Sequence, residues 1–238
     1  MIWNAVRPAM GAFVAAATLF WANPAAAQGR LDASYTVTLG GIPIGKGKWV
    51  IDIGENQFTA AASGATSGLL AVMSSGQGSG ASRGAMIGGA PVPSSFAASI
   101  TSNKKTEEIR MTLASGDVKD FMITPEPKFD PERVPLTEAH RLGANDPMTG
   151  SLVRVPGNGN PVSPQACQRT ASVFDGRIRY NLQFAYKRME QVKSEKGYEG
   201  QVVVCVVYFV PIAGFSPTRP SIKYLASQRE SEAWLAPV

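Results

Sequence analysis

The sequence predicts a mainly β protein: a curved antiparallel sheet, open barrel or β-spiral carrying one or two short helices. Three observations lead there. Apolar residues recur with period two rather than 3.6, turn signals cut the chain at short intervals, and 24 Gly and 17 Pro supply the residues that tight turns need.

Taken in chain order, Tyr35, Val37 and Leu39 alternate with Ser34, Thr36 and Thr38, and Trp49, Ile51 and Ile53 alternate with Lys48 and Asp52. The Gly-rich run 76–89 reads as a strand of small residues, against which a helix or a second backbone packs closely. Ile109, Met111 and Leu113 then alternate with Arg110 and Thr112. The longest run, 174–186, puts Ile178, Tyr180, Leu182, Phe184 and Tyr186 on one face and Arg177, Arg179, Asn181 and Gln183 on the other. Such a strand turns one face to a core and the other to water. Residues 202–210 are apolar on both faces, which predicts a central strand with Cys205 in its middle. Gly40-Gly41, Gly54-Glu55-Asn56, Ser115-Gly116-Asp117 and Lys196-Gly197 mark turns between these runs. Two helices are expected. One is short, over residues 69–73; the other starts at Asp146, a good N-cap, with Pro147 at its first position. With no internal repeat and no dividing linker, residues 28–238 are expected to form a single β domain.

Residues 1–27 have the form of a cleavable export signal. Arg7 gives a positive start, residues 9–22 are apolar, Asn23-Pro24 breaks the helix, and Ala25-Ala26-Ala27 offers small residues for cleavage before Gln28. The apolar stretch is shorter than the about 20 residues a spanning helix needs, so the expected location is the periplasm, with no transmembrane span after removal. The formal charge of +5 falls by one when Arg7 leaves, and no block of consecutive basic residues exceeds two, which argues against nucleic acid as a partner. Cys167 and Cys205 both lie in the exported part. In an oxidising compartment an even count reads most simply as one structural disulfide, the alternatives being two buried thiols or a redox pair. A redox pair usually sits as Cys-x-x-Cys, and these two are far apart. Two cysteines and one histidine fall short of a structural zinc site, and neither a metal nor a cofactor is expected.

Gly80-Ala81-Ser82-Arg83-Gly84 matches the Gly-x-Ser-x-Gly nucleophile elbow, and the sole histidine, His140, follows it. An elbow needs an apolar strand before the serine and a helix after it. Here residues 74–79 are polar and Gly-rich, so no catalytic residue is expected and a serine hydrolase ranks last. His140 sits in a charged segment between prolines without metal-spaced companions, as an exposed or hydrogen-bonded histidine does. Asp175, Arg177 and Arg179 share one strand face on this reading. They form either an anion or partner contact, since Arg forks suit carboxylate and phosphate, or a solvated cross-strand charge pair, the favoured alternative. Leu69, Leu70, Val72 and Met73 form an apolar patch that serves either as a lid on the inner side of the sheet or as plain core packing.

Cys167, the run 173–181 (Val-Phe-Asp-Gly-Arg-Ile-Arg-Tyr-Asn), Asp146-Pro147-Met148-Thr149 and Val204-Cys205 with Val210-Pro211-Ile212-Ala213-Gly214 carry a resemblance, joined by Tyr-x-Val-x-Leu-Gly-Gly-Ile-Pro-Ile-Gly at 35–45. The chain resembles the alphaproteobacterial branch of the exported proteins called domain of unknown function 3108. The resemblance implies a periplasmic antiparallel β protein, an open barrel or spiral with a helix inside, similar to periplasmic lipoprotein carriers. It also implies further strands after Leu-Ala-Pro-Val, without which the barrel stays open. It brings no catalytic residue with it. The expected function is that of a non-enzymatic periplasmic binding or scaffold protein supporting cell-envelope integrity, with an envelope protein or hydrophobic ligand as partner. The alternative is a lipid or lipoprotein carrier with a concave apolar pocket.

Overall fold

A computed structural model of the chain describes residues 29–39, 41–67, 76–155, 160, 162–193 and 197–237. The expected export signal and the apolar patch Leu69, Leu70, Val72 and Met73 lie outside the described residues.

Mainly β structure is what the chain adopts, but in two antiparallel sheets rather than one. The first is a seven-stranded meander in sequence order: β1 (Gly29–Leu39), β2 (Ile42–Ile53), β3 (Gln57–Thr66), β4 (Gly76–Ile87), β5 (Ala90–Ser102), β6 (Lys105–Ala114) and β7 (Asp117–Thr124). Each strand pairs with the next through a short connection, as period-two patterns broken by Gly-rich turns dictate. The second sheet holds β8 (Thr170–Phe174), β9 (Arg179–Lys193), β10 (Glu199–Ala213) and β11 (Glu232–Leu235), in the order β11-β10-β9-β8. Neither closes into a barrel. β10 is central, as its two-sided apolar pattern predicts, and Val202, Val203, Val204 and Cys205 are all buried in it.

Between the sheets runs a long connection whose regular pieces among the described residues are two 3₁₀ turns (Glu138–Arg141 and Pro164–Cys167) and one turn of helix, α1 (Pro147–Gly150). α1 begins where the sequence places it. A second helix, α2 (Pro220–Ser227), was not read from the sequence, because its eight residues carry too short an apolar period to stand out from the surrounding strands.

The run expected as one strand over 174–186 is divided. β8 ends at Phe174, residues 175–178 make a tight turn, and β9 starts at Arg179. The physical reason is Gly176, whose φ of +92° is left-handed backbone that glycine alone adopts freely. A Cβ there would also lie 2.9 Å from Ile109 Cγ2, so the turn is pressed onto the first sheet. Phe174, fully buried, meets Phe121 edge-on with ring centroids 5.0 Å apart.

The main core therefore belongs to both sheets. It joins Ile51, Ala60, Phe96, Ile109, Met111 and Leu113 of the first to Phe174 of the second, with Met148 of α1 between them. A smaller core gathers Val162, Ala166, Cys167, Val203 and Cys205. At its centre Cys167 and Cys205 form a disulfide with Cα atoms 5.5 Å apart, both sulfurs fully buried. On the other face of β10, Arg188 donates to both Glu190 and Glu232 and lies over the Trp234 ring, flanking fully buried Val204.

The disulfide closes a loop with a sequence separation of 38, worth about 4 kcal/mol in the chain-entropy account. Cys205→Ser should lower the melting temperature of the oxidised protein by about 10 °C, read by circular dichroism. An unchanged melting temperature would show that the bridge carries no stability.

Candidate functional site

Four registers of the first sheet define what its inner, core-bearing face offers. One row runs Leu31, Ile51, Ala60, Ser82, Phe96 and Met111; the next runs Ala33, Trp49, Ala62, Gly80, Ala98 and Ile109. A third runs Tyr35, Gly47, Gly64, Gly78 and Ile100, followed by Val37, Gly45, Thr66 and Gly76 at the end of the strands. α1 packs on β3, β4 and β5, and the 175–178 turn packs on β6 and β7. Those contacts fall on the first two rows.

The contact point with α1 is a buried polar cluster. Asp146 caps the helix: its Oδ1 accepts from the backbone nitrogens of Met148 (2.9 Å) and Thr149 (3.0 Å). Its Oδ2 accepts from Thr149 Oγ1 (2.6 Å) and from Ser82 Oγ of β4 (3.0 Å). Asp146, Thr149 and Ser82 are all buried, and no cation bonds the carboxylate among the described residues. Burial raises its pKa, opposed by the hydrogen bonds from Thr149, Ser82 and Met148.

This placement gives the Gly-x-Ser-x-Gly run a part in packing α1 onto the first sheet. Ser82 sits in the middle of an antiparallel strand rather than on a strand-to-helix turn, and its Oγ contacts are Asp146, Thr149 and the carbonyl of Ser95 (3.3 Å). Gly84 is needed because a Cβ there would stand 2.0 Å from the Val92 carbonyl oxygen, where β4 bulges against β5. His140 is engaged elsewhere: its Nδ1 accepts from the backbone nitrogen of Thr137 at 3.1 Å.

Asp175, Arg177 and Arg179 do not share a strand face. Asp175 and Arg177 lie in the turn, and Arg179 opens β9. Asp175 Oδ1 accepts from the backbone nitrogens of Ile178 (2.7 Å) and Arg177 (2.8 Å), and burial raises its pKa. Arg177 reaches across to Glu107 of β6 through Nε (2.8 Å) and a second, closer contact through Nη2. Arg179 donates to Tyr180 O (2.6 Å) and Asn181 Oδ1 (2.7 Å). The Tyr180 phenol is held well above its ordinary value, first by burial and then by the charges of Asp175 and Asp146. These groups satisfy one another at the junction of the two sheets.

The second half of the inner face differs. Its floor is glycine, and its flanks are Tyr35, Val37 and Ile100, which stay 49 %, 50 % and 48 % exposed. Val37 leans over Gly45 and Ile100 over Gly78, while the closest atom to a Cβ built at Gly64 or Gly47 is a backbone oxygen 3.4 Å away. Side chains at those two positions would fill a trough. The alternation of these strands does not tell a filled half of a sheet from an open one. The signal it missed was the stacking of Gly47, Gly64 and Gly78 in neighbouring strands.

On the opposite face the same strands carry two adjoining grooves of about 510 and 490 Å³, floored by Ala61, Ser63, Ser79, Ala81 and Ser99 and edged by Lys46, Lys48, Glu108 and Arg110. The first is floored mostly by short apolar side chains, Val50, Ala61, Ala81 and Ala97, under a charged rim, whereas Tyr35, Val37 and Ile100 beside the glycine floor offer larger apolar side chains for contact. The glycine-floored trough is therefore the stronger candidate for binding. Among the described residues no group of three or more His, Cys, Asp or Glu could hold a metal ion.

A family model described as "Protein of unknown function (DUF3108)" matches residues 34–238. No curated protein and no solved structure matches the chain.

Asp146→Ala should cost about 3 kcal/mol, because it strands two backbone donors and two hydroxyls at once. The pH response of Asp146 has a definite sign. With its folded pKa above its unfolded one, its favourable contribution is complete below about pH 4 and is lost as pH rises through the folded value. Asp146→Asn removes that titration, so the stability of the variant relative to the wild type should rise from about pH 4 and then level off. Urea denaturation across the range measures it; a flat difference would overturn the assignment.

Proposed function

The chain belongs to the DUF3108 family of proteins of unknown function, and on that premise we propose that it acts without catalysis, binding an apolar ligand in the periplasm and thereby supporting the cell envelope. The observation that carries this reading is the half of the inner face that the described residues leave unfilled, with its floor of Gly47, Gly64 and Gly78 between Tyr35, Val37 and Ile100. Glycines in neighbouring strands weaken a sheet, since they lose the most chain entropy on folding and pack nothing in return. Their use here fits a surface kept clear for a guest. Three half-exposed apolar side chains flanking that floor give such a guest contact area, and a ligand's alkyl portion would gain about 25 cal/mol for each Å² removed from water.

The setting agrees with this. The leader-like residues 1–27 direct the chain out of the cytoplasm, the Cys167–Cys205 bridge suits an oxidising compartment, and no helix among the described residues is long and apolar enough to cross a membrane. Absence of catalysis is part of the proposal. Ser82, the one residue in a nucleophile-like motif, is buried and bonded to a carboxylate that itself caps a helix.

The test is extraction of purified protein with organic solvent and mass spectrometry of the extract. A bound lipid or other long-chain compound is expected. Gly64→Val should lower its occupancy at least tenfold while leaving the fold intact, since the position is exposed and the backbone ordinary. Recovery of the wild type with nothing apolar bound, in the presence of added phospholipid, would sink the reading. A second measurement addresses catalysis: Ser82→Ala should leave no hydrolytic rate to lose on short acyl esters, and turnover abolished by that substitution would establish an enzyme.

A further inference from the structure

On the inner face of β1 to β5 the rows of paired residues place no charged side chain. The sequence itself supplies no acid over residues 33–51 or 56–106. The first charges on that face come on β6, where Glu107 stands opposite Ile100 and Lys105 opposite Ser102. Their surroundings differ. Glu107 is taken by Arg177 of the 175–178 turn, through Nε at 2.8 Å and a closer contact through Nη2. Lys105 is exposed, and neither it nor its neighbour Lys104 forms an ion pair among the described residues. Two other acids lie toward this end of the sheet. Glu108 belongs to the opposite face, paired with Arg110, and Glu126, past the end of β7, bonds neither lysine.

Lys104 also stands where a lysine is costly. With Asn103 it makes the two-residue connection from β5 to β6, at φ of +66° and +49°. Both positions are left-handed, which glycine adopts freely and a long side chain does not. The connection thus accepts strain and carries a second cation beside Lys105.

The trough runs toward this pair. From Tyr35 on β1 over Gly47, Gly64 and Gly78 to Ile100 on β5 it crosses five strands, about 19 Å at the usual spacing. Lys105 is the diagonal neighbour of Ile100 on the same face, a separation of about 7–8 Å. Resting on the reading of the trough as a binding surface, we propose that its ligand is an amphiphile with an anionic head. The alkyl chain lies across the glycine floor, and a carboxylate or phosphate head meets Lys105 and Lys104. Ammonium groups donate to such oxygens in charge-assisted bonds, while a cationic head would face two like charges. Arg177 neutralises Glu107, the one carboxylate in the same row, so it does not repel the head.

Titration calorimetry with four amphiphiles of matched chain length, each below its micelle concentration, tests this: dodecanoate, dodecyl phosphate, dodecyl maltoside and dodecyltrimethylammonium. Both anions should bind at least about tenfold more tightly than the cation, with the gap narrowing as salt rises. The tighter of the two tells a carboxylate head from a phosphate one. Lys105→Glu should remove the preference for anions and leave the maltoside affinity unchanged. Lys104→Gly should weaken the anions several-fold yet raise the melting temperature by about 2 °C, because strain and charge leave together. Gly64→Val should weaken all four alike. Equal affinity for every head, or a preference for anions that survives Lys105→Glu, would overturn the head assignment and leave the trough standing. Binding of none of the four would sink both.

Discussion

A helix of four residues cannot hold itself in water, because nucleation costs more than one turn of hydrogen bonds returns. α1 persists because a side chain satisfies backbone groups at each of its ends. Asp146 satisfies the first backbone donors and takes a hydroxyl from Ser82 of the first sheet. At the other end, Arg169 donates to the carbonyls of Leu152 (2.9 Å) and Gly150 (3.4 Å). Arg169 sits two residues after Cys167 and directly before β8, so the helix is pinned to the second sheet as firmly as to the first. Loss of either end would shift the load between the two sheets onto the turn at Gly176, the packing of Phe174 and the contacts around them.

The surrounding contacts reinforce that joint. Asn145 bridges to Val173 in parallel, with Asn145 N donating to Ser172 O and Phe174 N to Asn145 O, both at 2.9 Å. Gly150 leaves room for Val173, since a Cβ there would stand 2.8 Å from Val173 Cγ2. The Arg177–Glu107 pair then closes over the Asp175 turn. Asp146, Thr149 and Ser82 at this junction are buried and hydrogen-bonded to one another, which makes them costly to disturb and poorly suited to meeting a ligand. The trough on the far half of the same face has the opposite character, with exposed apolar flanks and a floor without side chains. Structure and proposed function divide the inner face between them.

Some of this was legible in the sequence. Asp146-Pro147 announced a helix start, Val202 to Cys205 announced a strand covered on both faces, and the small residues of 76–89 announced a strand under close packing. Each is a local signal: a capping residue, a side-chain period, an absence of bulk. Asp175 and Arg177 were misplaced because the alternation of 174–186 continues unbroken through Gly176. Only contact with Ile109, more than sixty residues earlier, turns that glycine into a bend. Ser82 misled for a related reason. Its motif is defined by neighbours in sequence, while its role is set by Asp146 and Thr149, brought to it from another part of the chain.

What the sequence by itself determined is the class of structure: period-two strands, the turns between them, the capped start of α1 and the two cysteines available to pair. These rest on interactions within a few residues, which side-chain type and spacing specify. Tertiary structure alone decided that the strands divide into two sheets, that Ser82 meets Asp146 and Thr149, and that glycines of three strands align into a trough the described residues leave open. Each depends on which distant segments meet, and alternation is silent on that, because the same apolar face can cover a core, a partner or a ligand.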